Sequence, residues 1–287
     1  MRATTQSLSA RLCAVLAALW LGLASASAAE VAFPAPGDAV PGADGVTYLD
    51  LLREIVPDLE LADAVYRGGT VVPLRHIAGP DRQAEPPLEP TVADFSVLPL
   101  EGDGSGRILL LVDLGMAEDA AQGYAVLALF DPAAKPRLVD AADVAFDRMT
   151  WFLEPVRLDL GAGRMAVLTM SMHSNSSQAY VTTGIVLVGD RLELVDSVFT
   201  FDERACAFER AQRLGIETRP EGSGPAAIAA TVVDTTTPTG ADCGEDAAPQ
   251  PASVTVAVSW RWDEAAKRYR PDSDALEKLA AESAERF

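Results

Sequence analysis

The sequence is poor in cysteine and histidine, the residues that bind most transition metals in proteins. It contains three cysteines and two histidines in 287 residues. Cys13 lies in an N-terminal apolar run, and His76 and His173 are far apart in the chain. A zinc site needs three or four such ligands held together. The sequence therefore predicts no transition-metal site.

Short motifs of several enzyme classes are also missing. The chain has no G-x-S-x-G, S-x-x-K, P-loop, H-E-x-x-H or C-x-x-C pattern. The alternating glycines of Gly102–Gly106 precede a β-rich run instead of opening a helix, so they do not match a dinucleotide-binding loop. The sequence predicts no cofactor. Calcium bound by acidic pairs, at Glu101 and Asp103 or at Glu118 and Asp119, is an alternative that remains open.

Positive charge is scarce as well. The full chain has 23 Lys and Arg against 42 Asp and Glu, a net charge of −19. Binding to nucleic acid or to an anionic membrane surface is not expected, because both would repel such a chain. A cationic partner is compatible with this charge, but solubility alone also accounts for it.

Only one long apolar run is present, and it lies at the N-terminus. Arg2 and Arg11 precede an apolar core at Leu12–Leu23, and the small residues of Ala24–Ala28 follow. This order is typical of a secretory signal peptide, here residues 1–28. The sequence predicts an exported protein, periplasmic or extracellular, with no stable membrane insertion after the leader is removed. The mature chain keeps 21 basic and 42 acidic residues, a net charge of −21.

Two cysteines remain after the leader is removed, Cys206 and Cys243. In an oxidising compartment such a pair is most simply a disulfide, and two free thiols are the alternative. Closing a loop of this size would contribute about 4 kcal/mol by the chain-entropy model. Cys243 lies in a Pro/Thr/Gly-rich insertion, about residues 234–251, that we expect to be disordered apart from this link.

The mature chain divides into a short lead-in and one domain. Residues 29–45 are rich in proline and glycine and show no periodicity, and residues 46–287 are predicted to form a single β-rich domain. A helix is expected over 46–58, capped by Thr47 with Asp50 at the reciprocal position. A second helix is expected at the C-terminus, over 273–287, because apolar residues recur there at helical spacing.

An internal repeat is the most informative feature of the β-rich part. Residues 106–148 and 163–204 align with two single-residue slips, and a partial third copy covers about 253–272. Tyr124 then matches Tyr180, and Leu138–Asp140 matches Leu194–Asp196 in the alignment. Each full copy reads as strand, polar connection, strand, tight turn and strand.

Repeats of this kind predict a mainly β fold. We expect an antiparallel meander, sandwich-like or irregular propeller-like, with short N-terminal and C-terminal helices. Two and a half copies are too few for a standard closed propeller. Trp260 and Trp262 lie two apart on one predicted strand and so share a face. Because Trp262 matches the apolar Phe130, we expect both tryptophans to be core residues.

The candidate site is the connection between the first two strands of the second copy, Met172–Gln178. The corresponding segment of the first copy, Gly115–Gln122, ends in the same Gln but lacks the His-Ser-Asn-Ser-Ser core, so the repeat fold itself does not require that core. The predicted binding residues are His173, Ser174, Asn175, Ser176, Ser177 and Gln178. A loop that only satisfies its own backbone is the simpler interpretation, since these side chains commonly do so in turns.

Two functions are consistent with these features. The first is a non-catalytic exported protein that binds an envelope or extracellular partner, a protein or a glycan, through its inter-strand loops. The alternative is an exported hydrolase in which His173 acts as a general base with a serine or carboxylate from elsewhere in the chain. A group within hydrogen-bonding distance of His173, inside a concave pocket, would favour the second.

Overall fold

A computed structural model describes residues 31–100, 106–131, 136–161, 163–243 and 249–286. The predicted leader, residues 1–28, therefore lies outside the described residues, as do Glu101 and Asp103. The described chain is mainly β, with antiparallel sheets and a short helix near each end, as expected. Residues from Val31 onward form one compact unit.

Two helices and sixteen strands make up the regular structure of the described residues. The N-terminal part contains α1 (Tyr48–Arg53), β1 (Glu60–Ala62), β2 (Val65–Arg67), β3 (Arg75–His76), a 3-10 turn (Pro80–Arg82), β4 (Thr91–Val92) and β5 (Phe95–Pro99). The middle contains β6 (Ile108–Met116), β7 (Gly123–Asp131), β8 (Arg137–Asp143), β9 (Met149–Gly161), β10 (Arg164–Ser174), β11 (Gln178–Val188) and β12 (Leu192–Arg204). The C-terminal part contains β13 (Phe208–Arg219), β14 (Ala227–Pro238), β15 (Ala252–Asp263), β16 (Arg268–Pro271) and α2 (Ala275–Ala284).

The strands form three sheets. A three-stranded sheet has the order β1-β2-β4, a five-stranded sheet β3-β8-β7-β6-β5, and an eight-stranded sheet β16-β15-β14-β13-β12-β11-β10-β9. All pairs are antiparallel except β3 with β8, which pair in parallel through two residues each. The long sheet is a simple up-and-down meander, as the short turns between its strands require.

Both full repeat copies have the predicted topology. The first consists of β6, β7 and β8, and the second of β10, β11 and β12, each a three-stranded antiparallel meander. The tight turn of the second copy lies at Gly189–Arg191, where the amide of Gly189 donates to the carbonyl of Arg191. The partial third copy corresponds to the β15–β16 hairpin. The predicted duplication is thus visible as two similar strand arrangements in two different sheets.

The first hydrophobic core lies between α1 and one face of the five-stranded sheet. The capping box at Thr47 is present as predicted: its side chain accepts from the amide of Asp50, and the Asp50 carboxylate accepts from the amide of Thr47. The helix is shorter than expected and ends at Arg53, before Pro57. Leu51 and Leu52 are fully buried in this core. The chain leaves the helix early because Ile55 and Val56, also fully buried, contact the core from a turn instead.

The Pro/Gly-rich lead-in belongs to the same core, contrary to its lack of sequence pattern. Ala32 pairs with Val97 of β5, and Ala39 pairs with Thr47. Val40 is buried among the core residues. These backbone pairings satisfy polar groups that the irregular chain would otherwise bury without partners.

The second core lies within the eight-stranded sheet, between the parts formed by β9–β12 and β13–β16. Strands β12 and β13 pair only through Glu203–Arg210 and Arg204–Glu209 and then diverge. Helix α2 contacts β12 and β15. Its Leu276 and Leu279 are buried in this core, as is Trp260. Trp262 only packs against the core from the side and is half-buried, so the core prediction is confirmed fully for Trp260 alone.

The five-stranded sheet also contacts the second repeat copy. Arg75 donates to the carboxylate of Asp140 and to the carbonyl of Leu192, both at 2.7 Å. The amide of Leu192 donates to the same Asp140 carboxylate, again at 2.7 Å. A second arginine, Arg107, donates to the carbonyl of Gly189 at 3.0 Å. These cross-sheet bonds fix the two copies against each other in a sandwich-like arrangement.

The predicted insertion at 234–251 is partly a strand. Asp234–Pro238 continues β14, and Asp234 is buried with Arg210 bonded to both of its oxygens at 2.7 and 2.6 Å. Residues 244–248 lie outside the described part. Cys206 and Cys243 form a disulfide, with their Cα atoms 5.9 Å apart. The disulfide joins the segment after β14 to the connection after β12, as the cysteine count indicated.

Candidate functional site

The polar connection of the second copy is shorter than the sequence indicated. Strand β10 continues to Ser174 and β11 begins at Gln178, so only Asn175–Ser177 forms the turn. His173 is therefore a strand residue, paired directly with Tyr180. The corresponding segment of the first copy is wider, because β6 ends at Met116 after an irregularity in its pairing with β7.

Asn175 organises the turn. Its side-chain oxygen accepts from the amide of Ser177 at 2.9 Å, the amide of Gln178 at 2.8 Å and the hydroxyl of Ser177 at 3.1 Å. Its own amide donates to the carbonyl of Gln178 at 2.9 Å. The carbonyl of Ser177 accepts from the amide of Arg204 at 2.7 Å, which attaches the turn to the end of β12. These hydrogen bonds fix the conformation of the turn, so Asn175 and Ser177 have a structural role.

The turn forms one wall of a shallow depression of about 260 Å³. The other wall comes from the β12–β13 hairpin. The charged residues of the lining are Asp202, Glu203, Arg204, Glu209, Arg210 and Arg213. They form ion pairs, with Arg213 on Asp202 at 2.7 Å and Arg204 on Glu209 at 2.8 Å. Three carboxylates and three guanidinium groups leave this surface without net charge.

Five of the six predicted site residues line this depression, namely Ser174, Asn175, Ser176, Ser177 and Gln178. His173 does not. The charged residues of β12 and β13 were missed by the sequence analysis, because the β12–β13 pairing that brings them to the turn has no counterpart after the first copy, where β8 and β9 lie in different sheets. No local pattern of the sequence marks them.

His173 instead forms a pair with Asp147. Its Nδ1 lies 2.5 Å from Oδ2 of Asp147, and its side chain is 32% exposed. The imidazole stacks on the ring of Tyr180, with centroids 4.3 Å apart and planes at 12°. A carboxylate on one ring nitrogen fixes the orientation of the ring and leaves the other nitrogen for a second partner. Within the described residues, Asp147 is the only hydrogen-bond partner of the His173 ring, so no hydroxyl nucleophile is positioned by it.

A repeat-based signal for Asp147 was present in the sequence. Phe146-Asp147 lies at the end of the first copy, as Phe201-Asp202 lies at the end of the second. Both aspartates lie where a strand of one copy meets the next element, and both accept hydrogen bonds there: Asp147 faces His173, and Asp202 accepts from Arg213 and from the amide of Gln212. The recurrence indicates structural use of this position, but only the fold identifies the partner.

The second histidine, His76, is a core residue. It is 1% exposed, its Nε2 donates to the carbonyl of Ala145 at 2.9 Å, and its Nδ1 accepts from the amide of Ala78 at 3.1 Å. These roles fix the neutral tautomer. Burial lowers the pKa of His76, since the charged form loses its hydration.

Beside His76 lies a buried carboxylate that the sequence analysis did not single out. Asp143 is fully buried, and its Oδ1 accepts from the amides of Ala125 at 3.2 Å and Ala145 at 3.0 Å. Among the described residues, its Oδ2 has no hydrogen-bond partner. Burial raises the pKa of Asp143 to about 7, the charge of Asp113 adds to the increase, and the two backbone bonds oppose it.

Neither metal-binding clusters nor membrane-spanning helices occur in the part of the chain that the structure describes. No group of three or more His, Cys, Asp or Glu side chains converges there in a way that could hold a metal ion. Asp119 instead accepts from the amide of Glu85 at 2.9 Å. The described helices are all too short or too polar to cross a bilayer.

Comparisons of the chain with protein-family models, with curated proteins and with solved structures find no match. The functional assignment must therefore come from the geometry of this chain.

Proposed function

We propose that this chain is an exported, non-catalytic β-repeat protein that binds a neutral glycan of the cell envelope or the extracellular space. The binding surface is the depression formed by the Asn175–Gln178 turn and the β12–β13 hairpin. The observation that carries this proposal is the turn itself. Asn175 holds the backbone of the turn in one conformation. Binding through Ser174 and Ser176 therefore does not cost the conformational entropy of ordering the loop backbone.

The chemistry of the depression favours a hydroxyl-rich, uncharged ligand. Its carboxylates and guanidinium groups balance, and the turn adds hydroxyl and amide groups. Planar amides, carboxylates and guanidinium groups together offer both donors and acceptors, which suits sugar hydroxyls that are donors and acceptors at once. A protein partner would be expected to use a buried aromatic or aliphatic anchor. The lining contains no aromatic residue and only small apolar ones, Ala179 and Ala211.

Export is supported by two separate features. The N-terminal residues have the order of a secretory signal peptide. The Cys206–Cys243 disulfide would persist in an oxidising compartment and is unusual in a reducing one. The strongly acidic composition is compatible with a protein that stays in solution outside the cytoplasm.

The test is glycan binding by two matched variants of the mature protein. Ser176→Arg places a long side chain at the exposed turn beside the depression, and Ala121→Arg makes the same change at an exposed position in the connection of the first copy. A panel of neutral and charged envelope glycans would be screened by glycan array and then by calorimetry. We expect wild type and Ala121→Arg to bind one neutral class and Ser176→Arg to lose at least tenfold in affinity.

Two results would contradict this proposal. Binding of a protein from the native envelope, with no glycan bound, would assign the surface to a protein partner. Equal loss of glycan binding in both arginine variants would show that added charge, and not the second-copy turn, is responsible.

The hydrolase alternative is favoured by one observation, the 2.5 Å contact between His173 and Asp147. This pair has the geometry of a base and its orienting carboxylate. A water molecule activated by His173 would then have to be the nucleophile. The measurement is turnover on ester and glycoside panels by wild type and His173→Gln: hydrolysis by wild type that the variant lacks, at unchanged melting temperature, would establish this function.

A further inference from the structure

A second concave feature lies on a different part of the molecule. A cleft of about 550 Å³ is formed by helix α2 with β11, β12 and β15, and it shares no lining residue with the depression at the turn. This volume is within the range of small-molecule sites, which are mostly apolar with a few placed polar groups.

The walls of the cleft are largely apolar. Phe146, Phe199, Val258, Trp260 and Leu276 contribute aromatic and aliphatic surface. Beyond Leu276 and Glu277 in its first turn, helix α2 lines the cleft with three alanines: Ala280, Ala281 and Ala284. Because these side chains are small, they leave room between the helix and the sheet for an apolar body of moderate size.

One carboxylate of the cleft wall is oriented by bonds within the fold. The indole Nε1 of Trp260 donates to Oδ2 of Asp196 at 2.8 Å, and Oδ1 of Asp196 accepts from the amide of Ser197, also at 2.8 Å. These bonds hold the tryptophan ring in place against the cleft.

Besides the Asp196 carboxylate, two charged side chains of opposite sign line the cleft. Arg82, in the 3-10 turn after β3, and Glu277, on the first turn of α2, both line the cleft and are exposed. Within the described residues neither forms an ion pair, and they do not pair with each other. A ligand with one anionic group would be attracted by Arg82 and repelled by Glu277. A ligand with one cationic group would be attracted by Glu277 and repelled by Arg82. A ligand that carries both charges can satisfy both residues.

We propose that this cleft binds a small zwitterionic molecule with an apolar body, of the class of apolar amino acids and short apolar peptides. The carboxylate of the ligand pairs with Arg82, its ammonium group pairs with Glu277, and its side chains lie against Phe199, Trp260 and the alanines of α2. The proposal is independent of glycan binding at the turn, because the two surfaces share no residue.

The experiment uses the mature protein and four forms of one probe, leucyl-leucine. The forms are the free dipeptide, its N-acetyl derivative, its C-terminal amide and the derivative with both ends blocked. Binding is measured by calorimetry at millimolar probe. We expect the free form to bind best and the loss of either end charge to weaken binding about tenfold.

Four variants identify the residues. Arg82→Gln should bind the free dipeptide and its amide equally, and Glu277→Gln should bind the free dipeptide and its N-acetyl form equally. Ala280→Trp should abolish binding, because the indole fills the cleft. Glu282→Trp makes the same change on the outer side of the helix and should bind as wild type does.

The proposal is overturned if no form binds, if all four forms bind wild type equally, or if a singly charged form binds best. It is also overturned if Ala280→Trp keeps full affinity while its far-ultraviolet circular dichroism matches wild type. If Ala280→Trp loses its structure, the proposal is tested by Arg82→Gln and Glu277→Gln with the four forms of the probe.

Discussion

Strand β7 of the first repeat copy begins with eight buried residues, whereas the matching strand β11 of the second copy begins with five half-buried ones. Both strands are central in a three-stranded meander. The first copy, however, has α1 and the lead-in packed on one face and further buried residues on the other. The end of the second copy at which β11 begins is not covered in this way, and its residues are half-buried. A duplicated unit has thus become scaffold in one place and exposed surface in another.

The matched tyrosines show the same difference at a single position. Tyr124 is 1% exposed and belongs to the first core. Tyr180 is half-buried, stacks on His173 and donates to Gln178 at 2.6 Å. Burial raises the pKa of Tyr124 well above its ordinary value, and the nearby Asp143 adds to this increase. The recurrence of tyrosine at positions 124 and 180 therefore does not indicate one common role.

The residue before each tyrosine gives the sharpest test of this comparison. A Cβ on Gly123 would lie 2.4 Å from the carbonyl oxygen of Arg148, which is backbone and cannot easily move. We expect Gly123→Ala to lower the free energy of unfolding by about 3 kcal/mol, as overpacking does. The matched change Ala179→Gly should lower it by no more than about 1 kcal/mol. Urea unfolding measures both, and equal effects would mean that the two copies are equally constrained.

The buried carboxylate of the first copy gives the second test. Since the pKa of Asp143 is raised to about 7 in the native state, folding favours its protonated form. The contribution of Asp143 to stability is therefore present at about pH 4 and is lost as the pH rises through about 7. We expect Asp143→Asn, which keeps an acceptor for the two amides, to be more stable than wild type at pH 8 by roughly 1–3 kcal/mol.

Neighbouring groups also titrate, so the difference between variant and wild type is the informative quantity. The pKa of Asp113 is raised by burial, which acts in the same direction as Asp143. The lowered pKa of His76 acts in the opposite direction and reduces stability as the pH falls. An unchanged profile in Asp143→Asn would contradict this account.

Exchange of matched residues at the two hairpins gives the third and smallest effect. His173 aligns with Met116, which is 46% exposed. His173→Met removes the stack on Tyr180 and the bond to Asp147, and we expect it to lower the free energy of unfolding by about 1 kcal/mol. The reverse change, Met116→His, should alter it by less than about 0.5 kcal/mol. Thermal and urea unfolding at neutral pH would separate the two, and similar losses would remove the distinction between the hairpins.

Local features of the sequence predicted several elements correctly. The capping box at Thr47, the Gly189 turn and the Cys206–Cys243 pair depend on residues whose chemistry allows few alternatives. The helix at the end of the chain follows from apolar spacing alone. The end of α1 at Arg53 was missed, because burial of Ile55 and Val56 from outside the helix decides it.

Contacts between segments far apart in the sequence could not be predicted either, because they too depend on the tertiary structure. Asp147 and His173 lie in separate strands, and Arg204 and Arg213 reach the turn only through the β12–β13 pairing. The predicted disorder at 234–251 was partly wrong because Asp234 finds Arg210 across the sheet. Asp and Pro are poor strand formers, but the three threonines between Asp234 and Pro238 favour a strand, and the ion pair of Asp234 with Arg210 holds this end of β14 in the sheet.

The sequence by itself determined the β-rich class, the duplication, the two terminal helices and the cysteine pair. These features follow from periodicity, helix capping and residue counts, which can be read from neighbouring residues or from composition. The tertiary structure decided which copy is buried, which carboxylate lies fully inside a core, and which charges border the depression and the cleft. Those properties depend on what each strand faces, and a strand repeated almost unchanged can face a core in one copy and solvent in the other.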